Sequence, residues 1–148
     1  MAPSEFESRS ELLNKLTGSE LSLLERHGYK HLSGHEGYIL EHYYIGTYSC
    51  IEICNDFREK LAYIYICKLD GGNPPEALQR DKEGRRVREL YHSLLMRHGV
   101  PLSEISAAFK RVTRNASAES IIKNLLVQFR ELYLSHQDIF RDRPDILD

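Results

Sequence analysis

Apolar and polar positions keep two different periods along this chain. Over residues 38–69, YILEHYYIGTYSCIEICNDFREKLAYIYICKL, they alternate every second residue and are rich in β-branched and aromatic side chains, which predicts strands. Three are expected, at about 38–45, 47–54 and 60–69. Gly46 ends the first, Asn55-Asp56 opens a turn, and Asp70-Gly71-Gly72-Asn73-Pro74-Pro75 stops the third. Short connections favour an antiparallel meander. In the second strand Ser49, Ile51 and Ile53 share one side, against Tyr48, Cys50, Glu52 and Cys54 on the other. In the third, Ala62, Ile64 and Ile66 oppose Leu61, Tyr63, Tyr65 and Cys67. A hairpin closing through 55–60 pairs Ile51 with Ile64 and Cys50 with Tyr65. One face is then aliphatic, and the other carries tyrosines, thiols and Glu52.

Both flanks follow the helical period. Leu12, Leu13 and Leu16 form a stripe capped by Ser8 or Ser10. Thr17 and Glu20 have capping-box spacing, so a second helix restarts there, with Leu21, Leu23 and Leu24 inward and Gly28 as its C-terminal stop. One unbroken helix over 9–27 is the alternative, because an internal glycine costs only about 1 kcal/mol. Residues 31–37, HLSGHEG, are expected to be a turn-rich loop, with a hidden fourth strand at 29–36 as the alternative. Beyond the strands a long helix from 76 or 81 to 97 would pack Val87, Leu90, Tyr91, Leu94 and Leu95 and end at Gly99. Pro101 opens a helix bearing Ile105 and Phe109. Ser117 or Ala118 starts the last strong helix, with Ile121, Ile122, Leu125, Leu126, Phe129 and Leu132 inward. The expected fold is α+β, a three- or four-stranded antiparallel sheet with helices packed on one face. It forms a single domain over 1–137, followed by an acidic tail at 138–148 whose composition is compatible with disorder.

Composition adds little to this picture. The chain has 148 residues, 41% hydrophobic and 28% charged, with a net charge of -2, which gives no bulk attraction to nucleic acid or membranes. Charge is nevertheless uneven: 79–114 holds 9 basic and 4 acidic residues, a balance of +5. Arg80, Lys82, Arg85, Arg86, Arg88, Lys110, Arg111 and Arg114 are therefore candidates for contact with RNA or DNA phosphates. Asp81, Glu83 and Glu89 interleave with them and blunt that field. The stretch 99–109 superficially resembles the first helix of a helix-turn-helix, but the helix after it is too apolar to be an exposed reading helix. Three cysteines, a start without a signal-peptide pattern and the lack of a long apolar run lead us to expect a reducing, cytoplasmic setting and no membrane association.

Candidate chemistry is sparse. Cys50 and Cys54 on one strand lie roughly 13 Å apart, too far to share an ion, and neither a metal nor a cofactor is expected. His31, His35 and His42 cluster in sequence. His42, Glu52, Tyr63 and Tyr65 would make an acid–base pocket if the tyrosine face were concave, which is the enzyme alternative. The sequence favours a non-enzymatic regulatory or adaptor protein that binds a protein partner or itself, as a homodimer. Tyrosine combines large rigid area with a polar handle, so the contact surface would comprise Tyr48, Glu52, Tyr63, Tyr65 and His42.

Overall fold

The computed structural model describes residues 3–36, 39–56, 61–108 and 117–148. Two helices, α1 (Pro3–Glu20) and α2 (Ser22–Arg26), lead into four strands, β1 (Lys30–Glu36), β2 (Ile39–Ile45), β3 (Ser49–Asp56) and β4 (Leu61–Lys68). A short β5 (Arg88–Leu90) runs straight into α3 (Tyr91–Arg97). Helices α4 (Leu102–Ala108), α5 (Ala118–Ser135) and α6 (Gln137–Phe140) follow. The five strands form one antiparallel sheet in sequence order.

This corrects the expected three- or four-stranded sheet: the alternative strand at 29–36 is present as β1, and a fifth strand, β5, is added at the other edge. Residues 30–36 are a full edge strand, paired along β2 from Lys30↔Ile45 to Glu36↔Ile39, although their polar, glycine-containing composition reads as a loop. At the other edge, 76–90 is not helical. Asp81 accepts from the backbone N–H groups of Glu83 (3.0 Å) and Arg85 (2.8 Å), Gly84 takes φ +80°, and Arg80 and Arg86 form an antiparallel bridge. That turn returns the chain to the sheet, where Tyr65 pairs with Leu90 and Cys67 with Arg88. The central hairpin pairs Ile51 with Ile66, Glu52 with Tyr65 and Ile53 with Ile64. This is two residues from the expected register, so each residue keeps its face.

The helical ends follow local chemistry, with two shifts. Helix α1 already begins at Pro3 and runs through the expected caps Ser8 and Ser10. The first helix breaks at Leu21 and not at Gly18, because Thr17 does not cap: its hydroxyl donates to the Leu13 carbonyl at 2.9 Å. Gly28 and Gly99, at φ +98° and +88°, take the left-handed conformation that ends α2 and α3. Ser117 caps α5 by accepting from the Ser120 N–H at 3.2 Å.

The core lies between one sheet face and the helices. Leu40, Tyr44, Ile51, Ile53, Ile64 and Ile66 meet Leu13, Leu24, Leu94, Leu126 and Phe129, all buried. Phe129 sets its ring edge-on to Tyr91 (5.2 Å) and Phe140 (5.7 Å). Ile121, expected inward, is 38% exposed. The acidic segment set apart at 138–148 packs onto the domain: Ile146 and Leu147 are buried, and Arg97 donates to the carbonyls of Leu147 (3.1 Å) and Asp148 (3.3 Å). The Asp142 carboxylate holds the β2–β3 turn, accepting from the backbone N–H groups of Thr47, Tyr48 and Ser49 at 2.6, 2.9 and 2.8 Å and from the Ser49 hydroxyl at 2.8 Å. A Cβ on Gly46 would overlap that carboxylate, so a larger residue there would have to displace Asp142 from the turn. Among the described residues no helix is long and apolar enough to cross a membrane.

The helix-facing side of the sheet also carries a histidine pair, one buried and one half-buried. His42 is 2% exposed, and its Nδ1 lies 2.8 Å from Nε2 of His31. His31 stacks on Tyr44 at 4.6 Å, and its Nδ1 lies 3.8 Å from the Glu25 carboxylate. A proton on that Nδ1 makes His31 Nε2 the acceptor and His42 Nδ1 the donor. Burial, and then the neighbouring His31, push the His42 pKa down from 6.5 to about 4. The unfolded chain therefore takes up a proton below pH 6.5 that the folded chain refuses until about pH 4. This contribution to stability is complete above pH 6.5 and is lost on acidification through that window. It should amount to about 2 kcal/mol after allowance for solvent screening. Urea unfolding across pH 4–7 should show the loss, and His42→Leu should remove about one proton from its slope. An unchanged slope would place the acid sensitivity elsewhere.

Candidate interaction surface

The sheet's second face is built by register. Leu32, Tyr43, Glu52, Tyr65 and Leu90 stand directly opposite one another in succession, so a single row crosses all five strands. Beside it runs a second row, Gly34, Glu41, Cys54 and Tyr63. On its other flank Cys50 and Cys67 face each other across β3 and β4, both fully buried as thiols.

One ion pair anchors this face. Arg88 donates from Nε to the Glu52 carboxylate at 3.0 Å, from Nη1 to the Ala77 carbonyl at 2.8 Å and from Nη2 to the Pro75 carbonyl at 3.0 Å. The planar guanidinium thereby fastens the 70–87 segment over the sheet. The pair is well shielded, with 11% and 7% of the two side chains exposed. Burial raises the Glu52 pKa, while Arg88 and the Cys67 thiol, 3.5 Å from the carboxylate, oppose that rise. The Cys67 thiol is held well above its ordinary range by its hydrogen bond with Cys50 and by burial, so it is not a ready nucleophile.

The covering segment closes only part of the face. Tyr63 is 36% exposed and Leu32 44%, with Tyr43, Tyr65 and Cys54 half-buried between them. Tyr63 and Tyr65 lie 6.2 Å apart between ring centroids, and the Arg88 guanidinium sits 6.0 Å from the Tyr65 ring centroid. The Tyr43 hydroxyl donates to Glu41, and burial together with that bond raises its pKa. Partly exposed aromatic and aliphatic side chains therefore lie beside a shielded ion pair.

The residues expected at the site do not all gather. Tyr63 and Tyr65 share that partly exposed surface, and Glu52 lies beneath it as an anchor. Tyr48 is exposed in the β2–β3 turn, roughly 20 Å along the sheet from Tyr63. His42 lies on the opposite, helix-facing side, paired with Ile53, so it does not converge with Glu52. The basic block also divides. Arg88 is committed to Glu52, and Arg85 is exposed but paired with Asp81 (2.9 Å) and Glu83 (3.4 Å). Lys82 is exposed on the same turn. Arg80 and Arg86 line a cavity of about 270 Å³ with Tyr65, Arg88 and Glu89. The side chains of Lys110, Arg111 and Arg114 lie outside the described residues. Sequence reasoning missed Leu32, Tyr43 and the Arg88–Glu52 link. The alternation of ILEHYYI carried a signal for Tyr43 alone.

Among the described residues no group of three or more histidine, cysteine or acidic side chains is placed to hold a metal ion. Comparison with protein-family models, with curated proteins and with solved structures gives no match. The class is defined by the fold and surface alone: a small α+β domain with a five-stranded antiparallel sheet, packed helices and an aromatic cluster, consistent with a non-catalytic role in protein–protein contact.

Proposed function

We propose that this protein is a small interaction module that engages a protein partner through the open part of its second sheet face. The observation carrying this reading is the strip from Leu32 through Tyr43 to Tyr65 and Tyr63, left partly exposed while the adjoining thiols and Glu52 are sealed. Half-exposed tyrosines on a pre-organised sheet lose little conformational entropy on binding, and each supplies apolar area with a hydroxyl at its tip. The nucleic-acid alternative has narrower support, since acidic groups accompany the described basic side chains: Arg85 pairs with Asp81 and Glu83, Arg86 with Glu89 and Arg88 with Glu52.

The test is capture of protein partners from cell extract, followed by quantitative binding of whatever is retained. Tyr63→Ala combined with Tyr65→Ala should weaken binding at least tenfold. The melting temperature should stay nearly unchanged, and Tyr48→Ala should bind normally. Equal retention by the double variant and the native chain would refute the assignment of this face.

A further inference from the structure

Among the described residues no strand lies beyond β1, which ends the sheet. The backbone groups that face outward follow from hydrogen bonds elsewhere in the sheet. The Leu69 N–H donates to the Tyr48 carbonyl and the Gly46 N–H to the Ser49 carbonyl, so even positions of β2 bond to β3 and odd positions bond to β1. In β1, Lys30, Leu32, Gly34 and Glu36 therefore bond inward to β2. His31, Ser33 and His35 turn their N–H and C=O groups to the free edge.

Natural sheets usually blunt such an edge with proline, a bulge or charges placed along its length. The strand KHLSGHE has no proline, pairs residue for residue with β2 without a bulge, and places its lysine and its glutamate at opposite ends. Exposed Leu32, Ser33 and Gly34 form its middle.

We infer that two copies join β1 to β1 about a two-fold axis at Ser33, extending the sheet to ten strands. An antiparallel pair centred on Ser33 uses the whole strand, and three facts agree with it. Ser33 presents its backbone outward, so Ser33 can exchange both hydrogen bonds with Ser33 of the second copy. His31 and His35, also outward-facing, then meet as the flanking bonded pairs. Position 30, a lysine, then falls opposite position 36, a glutamate, of the second copy at each end, as a non-bonded register pair. A centre moved along the strand shortens the overlap and separates these charges. The axis stands perpendicular to the sheet, so both tyrosine strips face the same side and a partner meets two of them. The edge contact itself depends on backbone groups and not on the strips, so it stands or falls apart from the proposed function.

Sedimentation equilibrium across a concentration series tests this with the full chain. The native protein should show a monomer–dimer equilibrium. Ser33→Pro removes an outward N–H while sparing every bond to β2, so it should abolish the dimer with native circular dichroism retained. Lys30→Glu should weaken the dimer about tenfold by setting like charges opposite each other twice, and adding Glu36→Lys should restore it. If Ser33→Pro fails to fold, this charge exchange decides alone. A native chain that stays monomeric throughout, a folded Ser33→Pro variant that still dimerises, or a Lys30→Glu loss that Glu36→Lys does not rescue overturns the inference. Tyr63→Ala with Tyr65→Ala should leave the dimer unchanged.

Discussion

Replacing Arg88 by methionine is expected to cost about 3–5 kcal/mol of stability and about 10 °C in melting temperature. The substitution preserves much of the side chain's bulk, so packing is not the main loss. It strips the buried Glu52 carboxylate of its guanidinium partner and leaves the Cys67 thiol, a weak donor, at 3.5 Å. The carbonyls of Pro75 and Ala77 lose their donors in the same step, which frees the 70–87 segment from the sheet. Adding Glu52→Leu to Arg88→Met should regain most of the loss, because two apolar residues need no desolvated charge compensated. Urea unfolding of the two single variants and the double would measure this coupling. A cost below about 1 kcal/mol for Arg88→Met would mean that the pair is not the anchor of this face.

Asp142→Ala should cost about 2–3 kcal/mol, since one carboxylate satisfies three backbone N–H groups and a hydroxyl at the β2–β3 turn. Asp142→Asn should fall between the native chain and alanine. Its carbonyl oxygen can keep the three bonds made by Oδ1, but its amide would then confront the Thr47 N–H. Gly46→Ala should be destabilising alone, because its Cβ would enter the carboxylate. In the Asp142→Ala background that added cost should largely disappear. Thermal unfolding of this double-mutant cycle checks the claim, and strictly additive losses would show that the two positions do not compete for space.

The strands that sequence makes legible are those with side chains alternating between two different environments. In β3 and β4, isoleucines against tyrosines and thiols leave little doubt about face, even though the pairing register lies two residues from the simplest hairpin. The edges obey weaker rules. Among the described residues of one chain β1 pairs with β2 alone, and a strand sustained mainly by that pairing needs few strong strand formers. β5 was hidden because Val87, Leu90, Tyr91, Leu94 and Leu95 keep helical spacing through the strand–helix junction. Its three residues are placed by Arg88 finding Glu52, 36 positions away, a pairing that no local pattern encodes. The same distance in sequence put these two residues into separate candidate surfaces, one for protein and one for nucleic acid, although they are a single unit. His42 was misplaced for a related reason: strand alternation puts it on the side with Leu40 and Tyr44, but only packing shows that side to be the core.

The contact between Asp142 and the turn at 47–49 also bears on how the chain is made. During synthesis the β2–β3 hairpin emerges long before its acceptor, so three backbone N–H groups at its turn must stay hydrated until 142 arrives. Strands β2 to β4 can pair early, whereas the turn at 47–49 is completed only when Asp142 is in place. A nascent chain paused short of that point would hold a paired sheet whose turn still lacks its acceptor, at the stage when chaperones matter most.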